Sequence, residues 1–286
     1  MSHPDNVPST SSAQRGFEVL DAAHLDARLN AVREALRLCP TEVPASLSIP
    51  AHKALDAVAQ RLALGVDHTV VALFGGTGSG KSSLFNALTQ LNFADVGARR
   101  PTTSRAAACS WGDDAGPLLD FLGVSSERRI RRDSILDGED QGSMAGLVLL
   151  DVPDYDSVTT EHSLQVDRLV PLADILVWVV DPQKYADAAL HDGYLRGLGA
   201  RQEDMLVLVN QVDTLPESGL ASLLDDVGSL LKDDGLSQVQ VLPVSAVRGD
   251  NLDVVRSMLR QRVARESNAA RTASAELDAI TRRLRP

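Results

Sequence analysis

Two helical stripes of apolar residues lie near the start of the chain. The first consists of Leu25, Leu29, Val32 and Leu36, and the second of Leu55, Val58 and Leu62. Because residues three and four apart share one face of an α-helix, the stripes predict amphipathic helices over 17–38 and 51–64. Prolines at 40, 44 and 50 are expected to separate these helices. Residues 1–16, rich in polar residues and proline, are expected to form a disordered tail.

Continuous apolar runs follow and alternate with helical stretches. The runs are 69–74, 106–111, 146–150, 175–180, 205–209 and 239–244, with helical stretches near 160–170, 185–198, 217–232 and 250–264. Runs that are apolar throughout are typical of parallel strands covered on both faces. The alternation predicts an α/β fold built on a doubly wound, mostly parallel sheet. Residues 112–144 show no clear strand, although Pro117–Leu122 is compatible with a short helix.

A third helical stripe, Leu277, Ile280 and Leu284, follows the last helix expected to cover the sheet. An apolar stripe left in water is unfavourable, and both N-terminal stripes have the same problem. We therefore expect 270–286 to pack on the N-terminal helices as a small bundle; the alternative is a terminal helix that covers the sheet. The predicted division is a tail (1–16), N-terminal helices (17–66), an α/β domain (67–265) and a C-terminal helix (266–286). The helix-like sequence directly before residue 286 suggests a soluble piece of a longer, membrane-attached protein, with a complete protein as the alternative.

Composition narrows the class of protein. Of the 286 residues, 44% are hydrophobic, which supports a substantial core, and only 3% are aromatic, so Leu, Val and Ala must build it. The net charge of −11 disfavours nucleic-acid binding through bulk charge. Cys39 and Cys109 form no metal-ligand spacing and suit free thiols in a reducing cytoplasm. No apolar run approaches the ~20 residues that a membrane-spanning helix needs.

The segment between the first predicted strand and the next helix carries a chemical motif. It reads Gly75-Gly76-Thr77-Gly78-Ser79-Gly80-Lys81-Ser82-Ser83. In this context G-x-x-x-x-G-K-[ST] indicates a phosphate-binding loop, whose backbone N–H groups and helix N-terminus attract phosphate. Lys81 is expected to reach the β- and γ-phosphates, and the Ser82 hydroxyl to ligate Mg²⁺.

Polar residues follow three later strands, at the edge where doubly wound sheets bind ligands. Asp151 is placed to hold Mg²⁺ through a water. Asp213, in Asn210-Gln211-Val212-Asp213, is suited to accept two hydrogen bonds from the N1–H and N2–H₂ edge of guanine, a donor pair that adenine lacks. A backbone amide of Ser245-Ala246 is placed to bond guanine O6. Together these residues predict GTP rather than ATP.

With these motifs, residues 68–264 resemble the Era-like and dynamin-like branches of the P-loop GTPases. The run Asp181-Pro182-Gln183-Lys184-Tyr185-Ala186-Asp187 resembles a group of actinobacterial membrane-associated GTPases. The resemblance implies a Ras-like G domain that binds GTP or GDP with Mg²⁺ and hydrolyses GTP to GDP and phosphate as a nucleotide-dependent switch. It assigns the switch I threonine to Thr103, with Thr102 as the alternative. This threonine is expected to ligate Mg²⁺, and Lys81 and Thr103 are the expected catalytic residues. Switch II begins at Asp151 and contributes Asp154 to the nucleotide site.

Four positions depart from the family pattern. Asp154 replaces the glycine whose amide senses the γ-phosphate, and Tyr155 stands where Ras-like proteins have a water-orienting glutamine. Gly78 lacks the Ser or Asn of some relatives, and Gln211 replaces a lysine that packs on guanine. We therefore expect slow intrinsic hydrolysis, stimulated by a partner, by self-association or by a membrane.

Two alternatives stay open beside the slow enzymatic switch: a dynamin-like assembly or membrane-remodelling module with little turnover, and a ribosome-associated Era-like GTPase. The implied partners are a second copy docked through the nucleotide face and a membrane or membrane protein, while nucleic acid is disfavoured. The expected location is the cytoplasm, with the inner face of the plasma membrane as a variant.

Several other side chains have two interpretations. They are His162, as a solvated helix position or a phosphate contact; Arg99, Arg100 and Arg105, as flanking residues or an arginine finger; and Arg128, Arg129, Arg131 and Arg132, as a solvated face or a lipid or partner contact. The run 181–187 is either a capped turn or a functional loop.

Overall fold

The computed structural model describes residues 22–39, 42–65, 68–94, 105–132, 144–157, 160–263 and 268–284. Its helices are α1 (Ala22–Leu38), α2 (Ala45–Gly65), α3 (Lys81–Thr89), α4 (Gly116–Leu122), α5 (Thr160–Leu169), α6 (Ala188–Gly193), α7 (Glu217–Asp233), α8 (Leu252–Val263) and α9 (Asn268–Leu284). Its strands are β1 (Thr69–Gly75), β2 (Ala107–Trp111), β3 (Arg129–Arg132), β4 (Leu147–Asp151), β5 (Ile175–Val180), β6 (Met205–Val209) and β7 (Gln240–Pro243). Short 3₁₀ segments are Ser126–Arg128, Leu195–Asp204 and Val212–Thr214.

The strands form one sheet in the order β3-β2-β4-β1-β5-β6-β7. The pairs β1–β4, β1–β5, β5–β6 and β6–β7 are parallel, whereas β2 runs antiparallel to β4. Every residue of β1, β2, β4, β5 and β6 is buried, which explains their unbroken apolar runs. The predicted α/β fold class, a doubly wound and mostly parallel sheet, is confirmed.

Apolar layers cover both faces of this sheet. On one face the rings of Phe74 and Trp178 pack with their centroids 5.0 Å apart. On the other face Leu84 and Phe85 of α3 pack with Leu259 of α8. The two layers hold β1, β4, β5 and β6 in register, so that their carboxyl ends meet at one edge of the sheet.

Helices from both flanks of the sheet form a separate apolar cluster. Leu25 of α1, Leu55 of α2 and Leu277 of α9 are almost completely buried in it. Arg28 of α1 adds polar contacts to α9, donating to Ser274 Oγ over 2.7 Å and to Asp278 Oδ1 over 2.6 Å. The predicted flanking bundle is therefore present, while the exact boundaries of the predicted domains stay a prediction.

A buried ion pair connects this bundle to the sheet. Arg61 of α2 donates to Asp174 Oδ2 over 2.5 Å and to the His68 carbonyl over 3.1 Å. Because Asp174 precedes β5 and His68 precedes β1, the bundle attaches at the amino ends of the parallel strands. The carboxyl ends, where ligands bind in such sheets, lie at the opposite edge.

The helix α2 starts earlier than its apolar stripe predicts. It begins at Ala45 and includes Pro50 as its sixth residue, so the expectation that Pro50 ends the preceding break is wrong. Proline has a helix-compatible φ, and its cost is one missing N–H donor together with crowding of the carbonyl four residues earlier. That carbonyl belongs to Ser46, a solvent-exposed residue in the first turn of the helix.

The strand β3 was not predicted, because its sequence is Arg129-Ile130-Arg131-Arg132. It pairs with β2 at the edge of the sheet, where charged side chains are common because they discourage pairing with another chain. Arg129 Nε donates to the Val124 carbonyl and Arg131 Nε to the Gly112 carbonyl, each over 3.0 Å. Within the basic cluster these arginines therefore fix neighbouring turns rather than forming only a solvated face.

None of the helices within the described ranges combines the length and the apolar character needed to cross a bilayer.

Candidate functional site

The phosphate-binding motif forms the turn between β1 and α3. Gly78 and Gly80 have φ angles of 85° and 84°, in the left-handed region that glycine adopts without strain. A Cβ at Gly80 would also collide with the side-chain amide of Asn210, and one at Gly75 would lie 2.5 Å from the Val179 carbonyl oxygen. The glycines thus permit both the turn and the close approach of neighbouring strands.

Two further residues of the motif are paired with carboxylates from the β4 end. Lys81 is 4% exposed, and its Nζ contacts Asp154 Oδ1. Ser82 Oγ donates to Asp151 Oδ2 over 2.6 Å. Burial raises the pKa of Asp151, an effect partly offset by Lys81 and by the hydrogen bond from Ser82.

This geometry fits part of the predicted Mg²⁺ site. Ser82 and Asp151 lie side by side, and Asp151 Oδ1 is a buried acceptor with no hydrogen-bond partner among the described residues. Mg²⁺ suits such a place, since it keeps several waters and takes only one or two protein ligands beside substrate phosphates. Thr103 and its alternative Thr102 lie outside the described residues, as do Arg99 and Arg100.

The predicted base-recognition residues converge on the same edge. Asn210 is buried, donates from Nδ2 to the Ser79 carbonyl over 2.9 Å, and accepts from the Ala246 N–H over 3.1 Å. Gln211, with φ of 63°, donates from Nε2 to the Gly78 carbonyl over 2.6 Å. The structure thus joins the loop, Asn210, Gln211 and Ala246 in one hydrogen-bonded group.

Asp213 and Ser245 complete this side of the site. Ser245 Oγ donates to Asp213 Oδ1 over 2.6 Å and accepts from the Arg248 N–H over 3.0 Å. These bonds orient the Asp213 carboxylate, which guanine recognition requires. A backbone amide of Ser245-Ala246 is predicted to bond guanine O6; in the structure the Ala246 N–H donates to Asn210 Oδ1 and the Ser245 N–H to the Asp250 carbonyl.

Switch II supplies a residue that the sequence analysis missed. Asp156 Oδ1 accepts from the Thr77 N–H over 2.7 Å and from Thr77 Oγ1 over 2.8 Å. Lys184 Nζ donates to the Thr77 carbonyl over 2.9 Å and lies 4.0 Å from Asp156 Oδ2. The available signal was the third carboxylate in the run that starts at Asp151.

Tyr155 lies in the apolar layer, and its hydroxyl oxygen would be 3.2 Å from a Cβ at Gly76 of the phosphate loop. Its hydroxyl donates to Asp187 Oδ2 over 3.3 Å, and its ring packs 5.9 Å from that of Tyr194. Burial is the main cause that raises the pKa of Tyr155. A phenol held this way is unsuited to orient an attacking water, and the slow hydrolysis expected from the sequence stays a prediction.

The run 181–187 is both a capped turn and a neighbour of the phosphate loop. Asp181 Oδ1 accepts from the Gln183 N–H over 2.8 Å and from the Lys184 N–H over 3.1 Å. Asp187 caps α6 by accepting from the Ala189 N–H over 3.0 Å. These caps place Lys184 against Thr77.

His162 does not occupy the solvated helix position that the sequence favoured. It is 6% exposed, and its Nδ1 lies 2.8 Å from Ser157 Oγ. The side chain therefore links α5 to the end of switch II, a contact that local periodicity does not reveal. Arg105 is exposed beside switch I, and the structure assigns it no role.

Comparison with known proteins identifies a family for part of the chain. Residues 70–211 match the family model described as 50S ribosome-binding GTPase. No protein in the curated set matches the chain.

Three solved structures illustrate the likeness in fold. Two come from an oligomerised bacterial dynamin pair described as sensing and tethering membranes. The first is 17% identical to this chain with a TM-score of 0.51, and the match covers 92% of this chain and 46% of the dynamin chain. The other is 14% identical with a TM-score of 0.50, covering 91% and 54%. Era in complex with MgGDPNP and 16S ribosomal RNA is 18% identical with a TM-score of 0.48, covering 67% and 56%. The chain thus spans about half the length of these dynamin structures.

The match to the family model includes the phosphate loop, Asp151 and the start of the base-recognition motif. Members of this family bind GTP and hydrolyse it to GDP and phosphate. The motifs, the sheet and the family match together identify residues 70–211 as a P-loop GTPase domain.

Proposed function

We propose that this chain is a GTP-selective nucleotide switch that uses Mg²⁺ and hydrolyses GTP slowly when it acts alone. The observation that carries the proposal is the bond from Asn210 Nδ2 to the Ser79 carbonyl, which joins the base motif to the phosphate loop. Because this bond connects the two ends of the site, binding of the guanine base and binding of the phosphates are expected to depend on each other.

Selection of guanine rests on Asp213. Its carboxylate, oriented by Ser245, matches the two adjacent donors N1–H and N2–H₂ of guanine. Adenine presents no such pair, so an adenine nucleotide would leave a charged acceptor without its partners. This argument supports GTP and GDP over ATP.

Each residue of the phosphate side has a separate task. The glycine-rich turn offers N–H groups to the phosphates, and Lys81 adds a positive charge at the β- and γ-positions. Ser82 and Asp151 would hold Mg²⁺, which when bound neutralises phosphate charge. Thr103 stays the predicted switch I threonine.

The slow rate follows from what surrounds the place of attack. The Tyr155 ring packs in the apolar layer and its hydroxyl bonds to Asp187, so this side chain is not placed to orient a water as the glutamine of Ras-like proteins does. Asp154 stands where relatives have glycine, and its carboxylate forms an ion pair with Lys81. Stimulation by a partner, by self-association or by a membrane would then supply the missing groups.

The bundle favours a second candidate, a GTP-dependent assembly module that acts at membranes. Helices from both flanks of the G domain form it, and the likeness to the membrane-tethering dynamin pair extends over more than nine-tenths of this chain. Self-association through the nucleotide face and attachment to the cytoplasmic face of a membrane belong to this candidate. Ribosome association is less favoured, because the net charge of −11 opposes binding to RNA.

Nucleotide titration and phosphate release test both candidates. Fluorescent GDP should bind the full chain and be displaced by GTP but not by ATP, and Lys81→Ala should abolish or greatly weaken binding of the triphosphate. Phosphate release is then compared for dilute protein, concentrated protein and protein with anionic lipid vesicles. A rate that rises with concentration or lipid supports the assembly module, and equal displacement by ATP overturns guanine selectivity.

A further inference from the structure

Two carboxylates of switch II hold the donor groups of the phosphate loop. Asp154 contacts Lys81 Nζ, and both side chains of this pair are buried. Asp156 accepts the N–H and the hydroxyl of Thr77. Donor groups of the loop are therefore engaged by two anionic side chains of its own chain.

These donors are of the kind that a nucleotide polyphosphate uses. The loop lysine reaches the β- and γ-phosphates, and backbone N–H groups of the glycine-rich turn surround the phosphate oxygens. A carboxylate and a phosphate are both anionic acceptors of charge-assisted hydrogen bonds, so they compete for the same donors. Both side chains of the pair Asp154–Lys81 are buried, so water screens their attraction only weakly.

We propose that Asp154 and Asp156 are specificity-determining residues that compete with the γ-phosphate, so that the site favours the diphosphate GDP over the triphosphate GTP. A diphosphate places no γ-phosphate beside Asp154. A triphosphate adds that negative charge, and like charges at close range repel. The inference rests on the proposed function, since it takes the loop to bind guanine nucleotides.

The segment that carries both carboxylates is fixed against the loop. A Cβ at Gly76 would lie 3.1 Å from Asp156 Oδ2 and 3.2 Å from the Tyr155 hydroxyl oxygen, so the two segments are in direct contact. Tyr155 is anchored to Asp187. Lys184 Nζ lies 4.0 Å from Asp156 Oδ2.

These contacts imply that triphosphate binding moves switch II. Asp154 must release Lys81 before the γ-phosphate reaches the lysine fully, and Asp156 must leave the Thr77 N–H. A diphosphate requires less of this displacement, because its β-phosphate lies deeper in the loop. The preference for GDP should therefore fall when either carboxylate loses its charge.

The test compares affinities of the full chain for GDP and for a non-hydrolysable GTP analogue with Mg²⁺, by calorimetric titration. Asp154→Asn and Asp156→Asn keep the size of each side chain and remove its charge. In each variant the affinity for the analogue should rise about tenfold or more relative to that for GDP, equivalent to ~1.4 kcal/mol. Asp226→Asn, an exposed position on α7, makes the same charge change away from the site and should leave the ratio unaltered.

Other results decide against the inference in distinct ways. An equal gain for both nucleotides would mean that the carboxylates oppose any phosphate and set no preference. The same shift in Asp226→Asn would indicate bulk charge. Asp156 is less buried than Asp154, so Asp156→Asn provides the answer if Asp154→Asn does not fold. If the wild-type chain binds neither nucleotide, the proposed function itself fails.

Discussion

Asn210 and Ser79 are 131 positions apart in the chain, yet the side-chain amide of Asn210 donates to the Ser79 carbonyl over 2.9 Å. The same side chain accepts the Ala246 N–H, so one residue joins the phosphate loop, the base motif and the segment after β7. Asn210 therefore connects three segments of the candidate site that are distant in the chain.

Asn210→Ala should therefore weaken GDP binding and lower stability together. The change leaves the Ser79 carbonyl and the Ala246 N–H without their partner, which costs about 1–3 kcal/mol for a buried group. Thermal unfolding with and without GDP is the measurement, and Gln60→Ala, which removes an exposed amide on α2, is the control. Equal melting temperatures for Asn210→Ala and wild type would contradict the central role of Asn210.

Asp213→Ala should reduce guanine affinity without unfolding the chain, because the residue lies in the short 3₁₀ segment Val212–Thr214 after β6 and is only partly buried. Losing a charged hydrogen-bond partner costs about 1.5–3 kcal/mol, or roughly 10- to 150-fold in affinity. Titration with fluorescent GDP measures the loss, and circular dichroism checks the fold. Unchanged affinity would remove Asp213 from base recognition.

Turnover of dilute wild-type protein should be slow, near the unassisted Ras-like range of about 10⁻⁴–10⁻³ s⁻¹. The reason is that Tyr155 is held by Asp187 and Asp154 by Lys81, so neither supports an attacking water. Phosphate release under single-turnover conditions is the measurement. A rate above ~1 s⁻¹ would reveal a catalytic residue that the described part of the site does not include.

Leu277→Ala should destabilise the protein by about 2–5 kcal/mol, the usual cost of a large cavity in an apolar core. Leu277 of α9 is completely buried in the apolar cluster that α9 forms with α1 and α2. The bundle attaches at the edge of the sheet opposite the phosphate loop, so the affinity for GDP should change little in folded protein. Leu164→Ala, at a 62% exposed position on α5, is the matched control and should have a small effect.

The stability effect of Glu276 should depend on pH. Burial is the main cause that raises the pKa of this carboxyl, with Arg201, Arg283 and Arg282 acting in the opposite direction. A raised folded pKa gives a contribution to stability that is present below the unfolded pKa of about 4.3 and lost as pH rises through the folded pKa. Glu276→Gln is uncharged throughout, so its melting temperature relative to wild type should be higher near neutral pH than near pH 4.

Thermal scans across this pH range provide the check. Glu161→Gln, at an exposed position on α5, is the control and should track wild type at each pH. A Glu276→Gln difference that is constant with pH would show that the burial of this carboxyl has no energetic consequence.

The local pattern of apolar residues predicted the strands whose two faces are both buried. The apolar runs predicted β1, β4, β5 and β6, because a strand covered on both faces has to be apolar throughout. The strand β3 was not predicted, because an edge strand tolerates arginines and therefore lacks an apolar run. His162 and Ser157 meet through folding that helical periodicity does not encode.

The sequence by itself determined the chemistry of the site. A glycine-rich turn before Lys81, and carboxylates after parallel strands, predict phosphate and guanine recognition because strand ends of this fold must converge. Only the tertiary structure decided how those groups are paired. Asp156 reaches Thr77 across 79 positions, and Asp154 reaches Lys81 across 73, and both contacts depend on the distance between packed segments. Residue type limits what a side chain binds, whereas packing selects the partner it meets.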